Sequence, residues 1–126
     1  MKKLIISGLI LGVGLGLCFA QDAQTLLQKN GCMACHNIVG PKSAPAFAGI
    51  ARRNLRWYDL KTAKTNISNA IINGSKGKYP RFTNIAMPSF PNIDKNDLKN
   101  ITDYIISLQN RYYNGQRRGA MRGLAR

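Results

Sequence analysis

Apolar and polar positions along the chain separate into one unbroken apolar run and a later body of short, helically spaced segments. The run, Leu4 to Leu17, carries no charge and follows Lys2 and Lys3. In the body, Asp22 is a helix cap ahead of Leu26 and Leu27, which predicts a first helix to about Asn30. Gly40 to Pro45 reads as loop, and Ala46 to Arg53 as a short turn. Leu60, Ala63, Ile67, Ala70 and Ile71 recur at helical spacing, in a segment that begins at Asp59 or Thr62 and stops at Gly74. Residues 75–93 are rich in Gly, Pro and Asn and read as a loop. Leu98, Ile101, Ile105 and Leu108 then form one apolar stripe, with Asp94 and Asp97 placed as N-cap and N3 of a last helix. No stretch alternates as a strand does, and no segment repeats.

The apolar run has the layout of a secretory signal peptide: a basic start, an uncharged middle, and small residues at −3 and −1 in Cys18-Phe19-Ala20. Residues 1–20 are therefore expected to be cleaved. The alternative is an uncleaved membrane anchor, since Leu4 to Ala20 is 17 residues, the short limit for a span. Lipidation at Cys18 would need a small residue before it, and Leu17 stands there. Each of these readings puts the globular part outside the cytoplasmic membrane. Cleavage removes Cys18 and leaves Cys32 and Cys35, which in an exported chain would ordinarily pair as a disulfide.

Their spacing points elsewhere. Cys32-Met33-Ala34-Cys35-His36 is C-x-x-C-H, the attachment motif for covalent c-type haem. Two cysteines three apart on a helical turn reach the vinyl groups of adjacent pyrrole rings, and the next residue turns its imidazole onto the iron. A thioredoxin-like site would need a βαβ pattern around the motif, and none is visible. A zinc site would need a fourth ligand, and the mature chain has no further Cys or His. A local disulfide explains the cysteines but leaves His36 without a purpose.

The second axial ligand follows by elimination. His36 is the one His, so a pair of imidazoles from this chain is excluded, which leaves a Met sulfur, a Lys amine or an amide. Met33 lies between the cysteines, and Met121 lies in a Gly/Arg-rich tail with nothing to hold it. Met87 sits about fifty residues after His36 in Ile85-Ala86-Met87-Pro88-Ser89-Phe90-Pro91, which Pro88 and Pro91 keep extended. The other reading of Met87 is a plain core residue. A thioether ligand stabilises Fe(II) more than a second imidazole does and so raises the reduction potential.

These residues resemble a small bacterial class I cytochrome c. The likeness rests on Leu27, Gly31-Cys32-x-x-Cys35-His36, Ala44-Pro45-Ala46-Phe47, Ile72-Asn73-Gly74-Ser75-x-Gly77, Met87-Pro88, and Ile101-x-x-Tyr104-Ile105-x-x-Leu108, across about residues 22–109. It implies an all-α fold of three to five helices around one covalently bound haem c. It also implies His36/Met87 ligation of the iron, electron transfer as the activity, and a last helix crossing the first with Tyr104 near Leu27 and Gly31. By the same likeness, the carbonyl of Pro45 accepts a hydrogen bond from His36, which orients the ring and increases its basicity. The loop from Gly77 to Met87 is longer than in the shortest members, and the tail after Asn110 has no counterpart in them.

The expected organisation is a signal peptide at 1–20, a cytochrome domain at 21–110, and a basic, disordered tail at 111–126. About 90 residues bury only a modest core, which haem would complete. Leu27, Pro45, Phe47, Ile67, Ile71, Tyr79, Phe82, Ile105 and Leu108 are the candidates for core or pocket lining, and Tyr79 or Trp57 for a propionate donor. The full chain has 19 Lys and Arg against five acids, a formal net charge of +14, and every acid is Asp. Asp22, Asp59, Asp94 and Asp97 sit at helix starts, and Asp103 pairs with Lys99 four residues earlier. None is left as a general acid or base, which argues against acid–base catalysis by this chain. The charge favours acidic redox partners (an oxidase, reductase or dehydrogenase), with possible membrane-surface contact through the tail. Export argues against nucleic acid. The expected function is a periplasmic one-electron carrier. The alternatives are a haem subunit of a periplasmic oxidoreductase, for example in sulfur-compound oxidation, and a haem sensor or peroxidase with an open sixth position.

Overall fold

The computed structural model describes residues 22–111, so the expected signal peptide, Cys18, Met121 and all of the basic tail beyond Arg111 lie outside the described residues. Four α-helices carry the fold: α1 (Ala23–Lys29), α2 (Phe47–Trp57), α3 (Leu60–Asn73) and α4 (Lys95–Ser107). Three begin at an aspartate whose carboxylate satisfies backbone N–H groups that the first turn leaves unpaired. Asp22 accepts from Gln24 N at 3.3 Å, Asp59 from Thr62 N at 3.0 Å, and Asp94 from Asn96 N at 2.8 Å and Asp97 N at 3.1 Å. Asp59, rather than Thr62, is thus the start of α3.

Helix α4 packs against each of the other three. The core between them holds Leu26 and Leu27 of α1, Ala48 and Ala51 of α2, Ile67 and Ile71 of α3, and Ile101 and Ile105 of α4, closed by Leu108. Burying a side chain the size of Leu26, Leu27, Ile101 or Leu108 stabilises the fold by about 1.5–3 kcal/mol each. Polar contacts fix how the helices cross. Gln24 Nε2 donates to Tyr104 Oη at 2.9 Å between α1 and α4, and the Ser68 and Thr102 hydroxyls meet at 3.0 Å between α3 and α4. Lys64 reaches Asp103 at 2.6 Å, beside the expected Lys99–Asp103 pair at 2.7 Å.

Two segments differ from the sequence reading. The stretch read as a turn near Ala46 to Arg53 is an eleven-residue helix that continues to Trp57. Its buried face, Phe47, Ala48 and Ala51, is seated on α4, and that packing extends the helix past a run of polar residues. The stretch read wholly as loop contains a short antiparallel ladder, β1 (Ser75–Lys76) with β2 (Ala86–Met87), and a 3₁₀ turn at Pro80–Phe82 between them. Strands this short leave the fold mostly helical. No helix among the described residues is long and apolar enough to cross a membrane.

Candidate functional site

The helices surround a cavity of about 420 Å³ whose walls are mainly apolar. That is within the range of about 300–1,000 Å³ that holds small organic ligands and cofactors. Cys32, Cys35, His36, Pro45 and Met87 all line it, although they come from three separate stretches of chain.

The proximal side is built by backbone hydrogen bonds. Gly31 takes φ 73°, a left-handed conformation open to glycine, and turns the chain from α1 into a 3₁₀ turn at Cys32–Ala34. His36 N then donates to Cys32 O at 3.1 Å, which puts the two cysteines and the histidine on one turn. The chain after the loop is laced back onto this turn: Ala44 N donates to Cys35 O at 3.0 Å, Phe47 N to Asn37 O at 2.9 Å, and Ala48 N to Ile38 O at 3.0 Å. Pro45 is held beside His36 by these bonds, and His36 Nδ1 lies 2.6 Å from Pro45 O.

A carbonyl only accepts, so Nδ1 carries the proton and Nε2 keeps its lone pair. The Phe47 ring stacks on the imidazole with centroids 4.7 Å apart and 22° between planes, which restrains the ring from turning. His36 is buried. Burial pushes its pKa below the ordinary histidine value, against the smaller opposing effect of the Pro45 hydrogen bond, so the ring is neutral and able to ligate at pH 7. Cys32 and Cys35 are not joined in a disulfide. Burial pushes the Cys32 thiol up, opposite to the shift that makes a thioredoxin-like nucleophile.

Met87 reaches the cavity by two tethers. It pairs with Ser75 in the β1–β2 ladder, and Phe90 N donates to Ile71 O at 2.9 Å, hooking the loop onto the end of α3. Met87 is half-buried and packs against the core. The lining also includes the polar side chains of Arg53, Asn54 and Tyr79. Arg53 lies 4.7 Å over the Tyr79 ring, and Tyr79 and Asn54 share a hydrogen bond. Burial is the main influence on the Tyr79 phenol and raises its pKa.

Tyr79 lines the cavity, whereas Trp57 is 67% exposed and is not among the lining residues. Sequence reasoning missed Asn54 and Tyr58 as lining residues because it ended the segment at Arg53. The helical spacing of Phe47, Ala51, Asn54 and Tyr58 carries the missing signal.

The donor set suits one iron porphyrin: two thiols three residues apart, a neutral imidazole with one nitrogen free, a thioether, and apolar walls between them. Such a body is a covalent haem-binding module of the electron-transfer type. The cytochrome c family model matches residues 20–109, and the chain belongs to that family as a small class I member with one covalently bound haem c. Cytochrome c-552 of Nitrosomonas europaea is 32% identical over 91 residues, which cover 72% of this chain and 82% of that protein. Cytochrome c-552 of Hydrogenobacter thermophilus is 30% identical over 110 residues, 86% of this chain and 100% of that protein. The crystal structure of wild-type Nitrosomonas europaea cytochrome c552 matches with a TM-score of 0.57 at 31% identity, over 68% of this chain and 99% of that one. The class 1 cytochrome MtoD from Sideroxydans lithotrophicus ES-1 matches with a TM-score of 0.55 at 22% identity, a likeness of fold, over 69% of this chain and 92% of that one.

Proposed function

We propose that this haem c electron carrier is exported to the periplasm and shuttles single electrons in a respiratory or other redox chain. In this reading Cys32 and Cys35 would hold the haem as thioethers, and His36 and Met87 would ligate its iron. Residues 1–20 are the cleaved signal peptide, 21–110 the cytochrome domain, and 111–126 a basic tail. The observation that carries the reading is the shared cavity: a neutral imidazole locked through Nδ1 to Pro45 and a tethered Met87 line the same apolar space as two thiols.

Bound haem supplies an Fe(III)/Fe(II) couple, and the chain supplies everything that makes the couple fast and suitably poised. Pro45 and Phe47 hold the imidazole plane, and the β1–β2 ladder with the Phe90–Ile71 bond holds Met87. Donors fixed this way need little rearrangement when the charge changes by one. The apolar walls exclude water, so little solvent has to reorient. Met87, as a thioether, favours the reduced state and raises the potential.

The chain's ionisable groups support carriage of electrons rather than acid–base catalysis. Its one histidine is tied to Pro45, and its five aspartates cap helices or pair with lysines. Without Lys2 and Lys3 the cleaved chain keeps a net charge of +12, which favours acidic redox partner proteins, not nucleic acid, which the exported chain would not meet.

The test is a pair of visible spectra of the full chain, expressed with haem-attachment machinery. Oxidised wild type should show the weak far-red methionine-to-iron band and should not bind CO when reduced. Met87→Ala should lose the band and bind CO. A colourless product, or ready CO binding by the wild type at neutral pH, refutes the assignment.

A further inference from the structure

The corner between α2 and α3 is an exposed aromatic surface set among arginines. Trp57 is 67% exposed, Tyr58 51% and Leu60 52%, and they are nearly consecutive. Arg53 and Arg56 are exposed beside them. Each guanidinium sits over an aromatic ring, Arg53 4.7 Å from the Tyr79 centroid and Arg56 5.0 Å from the Trp57 centroid. An arginine held over a ring by cation–π attraction has lost much of its rotamer freedom beforehand, and its exposed guanidinium still offers N–H donors to a carboxylate. Trp, Tyr and Arg are the residue types that dominate binding energy at protein interfaces. Tyr58 and Arg53 also line the cavity, so this corner is continuous with the site itself.

We infer that the α2–α3 corner, built from Arg53, Arg56, Trp57, Tyr58 and Leu60, is the docking face for the carboxylate-bearing surface of a one-electron redox protein. The inference rests on the electron-carrier reading and adds where the partner sits. One electron crosses from the reduced protein to the oxidised one, with no bond made or broken.

Charge selects this occupant over the others. A second copy offers no acidic face, because its five aspartates are committed: Asp22, Asp59 and Asp94 to helix caps, Asp97 to Lys29, and Asp103 to Lys64 and Lys99. The segments of this chain outside residues 22–111 contain no Asp or Glu at all. An anionic bilayer would press uniform negative charge against Asp59, which is exposed in the middle of the patch. A folded partner can place its carboxylates around that position. It can also receive the electron, and a lipid headgroup cannot.

The experiment is voltammetry of the haem-loaded full chain on gold coated with a carboxylate-terminated monolayer, at low salt. Arg56→Gln/Trp57→Ala is compared with Lys95→Gln, which removes the same charge from the start of α4. The corner variant should exchange electrons with the surface at least tenfold more slowly, and Lys95→Gln within twofold of wild type. The potentials of both variants in solution should be unchanged. Equal slowing of both variants overturns the proposal, since net charge would then suffice. Wild-type speed in the corner variant overturns it as well. If the corner variant loses binding to phosphatidylglycerol vesicles but keeps its rate on the monolayer, the face is a lipid contact and the proposal fails. A protein with no haem wave refutes the carrier reading instead, which keeps the two failures distinct.

Discussion

Gly74 joins α3 to the segment that presents Met87, and replacing it with alanine tests whether that junction sets the thioether's position. Its backbone, φ 75° and ψ 176°, lies in a region essentially closed to residues with a side chain. Forcing alanine into it costs about 1–3 kcal/mol. A Cβ there would stand 2.7 Å from Met87 O, 3.3 Å from Pro88 C and 3.3 Å from Ser89 N. All three are backbone atoms, which cannot swing aside as a side chain tip does. Overpacking of this kind costs roughly a further 1–3 kcal/mol.

Gly74→Ala should therefore lose about 2–6 kcal/mol, a large part of the roughly 5–15 kcal/mol that holds a domain folded. The strain is relieved by moving residues 87–89 outward, so the methionine-to-iron band should weaken along with stability. Gly40→Ala is the control, with a left-handed φ of 83° and nothing within 4 Å of the new Cβ. It should cost about 1–2 kcal/mol and leave the band intact. Guanidinium denaturation and the oxidised far-red spectrum measure both effects. A Gly74→Ala protein within about 1 kcal/mol of wild type, or one destabilised with its band unchanged, refutes the reasoning.

Removal of a helix cap and of a surface ion pair should give smaller effects of known sign. Asp94→Ala leaves Asn96 N and Asp97 N without their acceptor and should destabilise the protein by about 1 kcal/mol in urea titration, with the spectrum unaltered. Hydrogen bonds from Lys64, then Lys99, hold the Asp103 carboxyl below the ordinary aspartate range. A depressed carboxyl contributes stability above its unfolded value near pH 4, and loses it as pH falls through the lower folded value. Asp103→Asn should thus cost about 0.5–1 kcal/mol at pH 7 in low salt, the scale of exposed pairs. The difference from wild type should vanish in strong acid, and a gap that widens as pH falls contradicts the assignment.

What the amino-acid sequence determined alone was whatever depends on near neighbours. Asp22, Asp59 and Asp94 start helices because a short carboxylate reaches N–H groups two or three residues on, a bond made within one turn. The apolar stripes of α3 and α4 were legible for the same reason, since periodicity is local. The cysteines and histidine announce their chemistry because the three bonds proposed to the cofactor would all come from one five-residue turn. Met87 could be singled out because so few sulfur and imidazole donors were available.

Tertiary structure decided what depends on distant partners. Helix α2 runs on to Trp57 because α4 covers its small inner face, and this brought Asn54 and Tyr58 to the cavity. The β1–β2 ladder joins residues ten and twelve apart, Lys76 with Ala86 and Ser75 with Met87, in strands too short to show alternation. The stacking of Phe47 on His36 and the placing of Arg53 over Tyr79 likewise required the folded chain, because ring contacts leave no periodic trace in sequence.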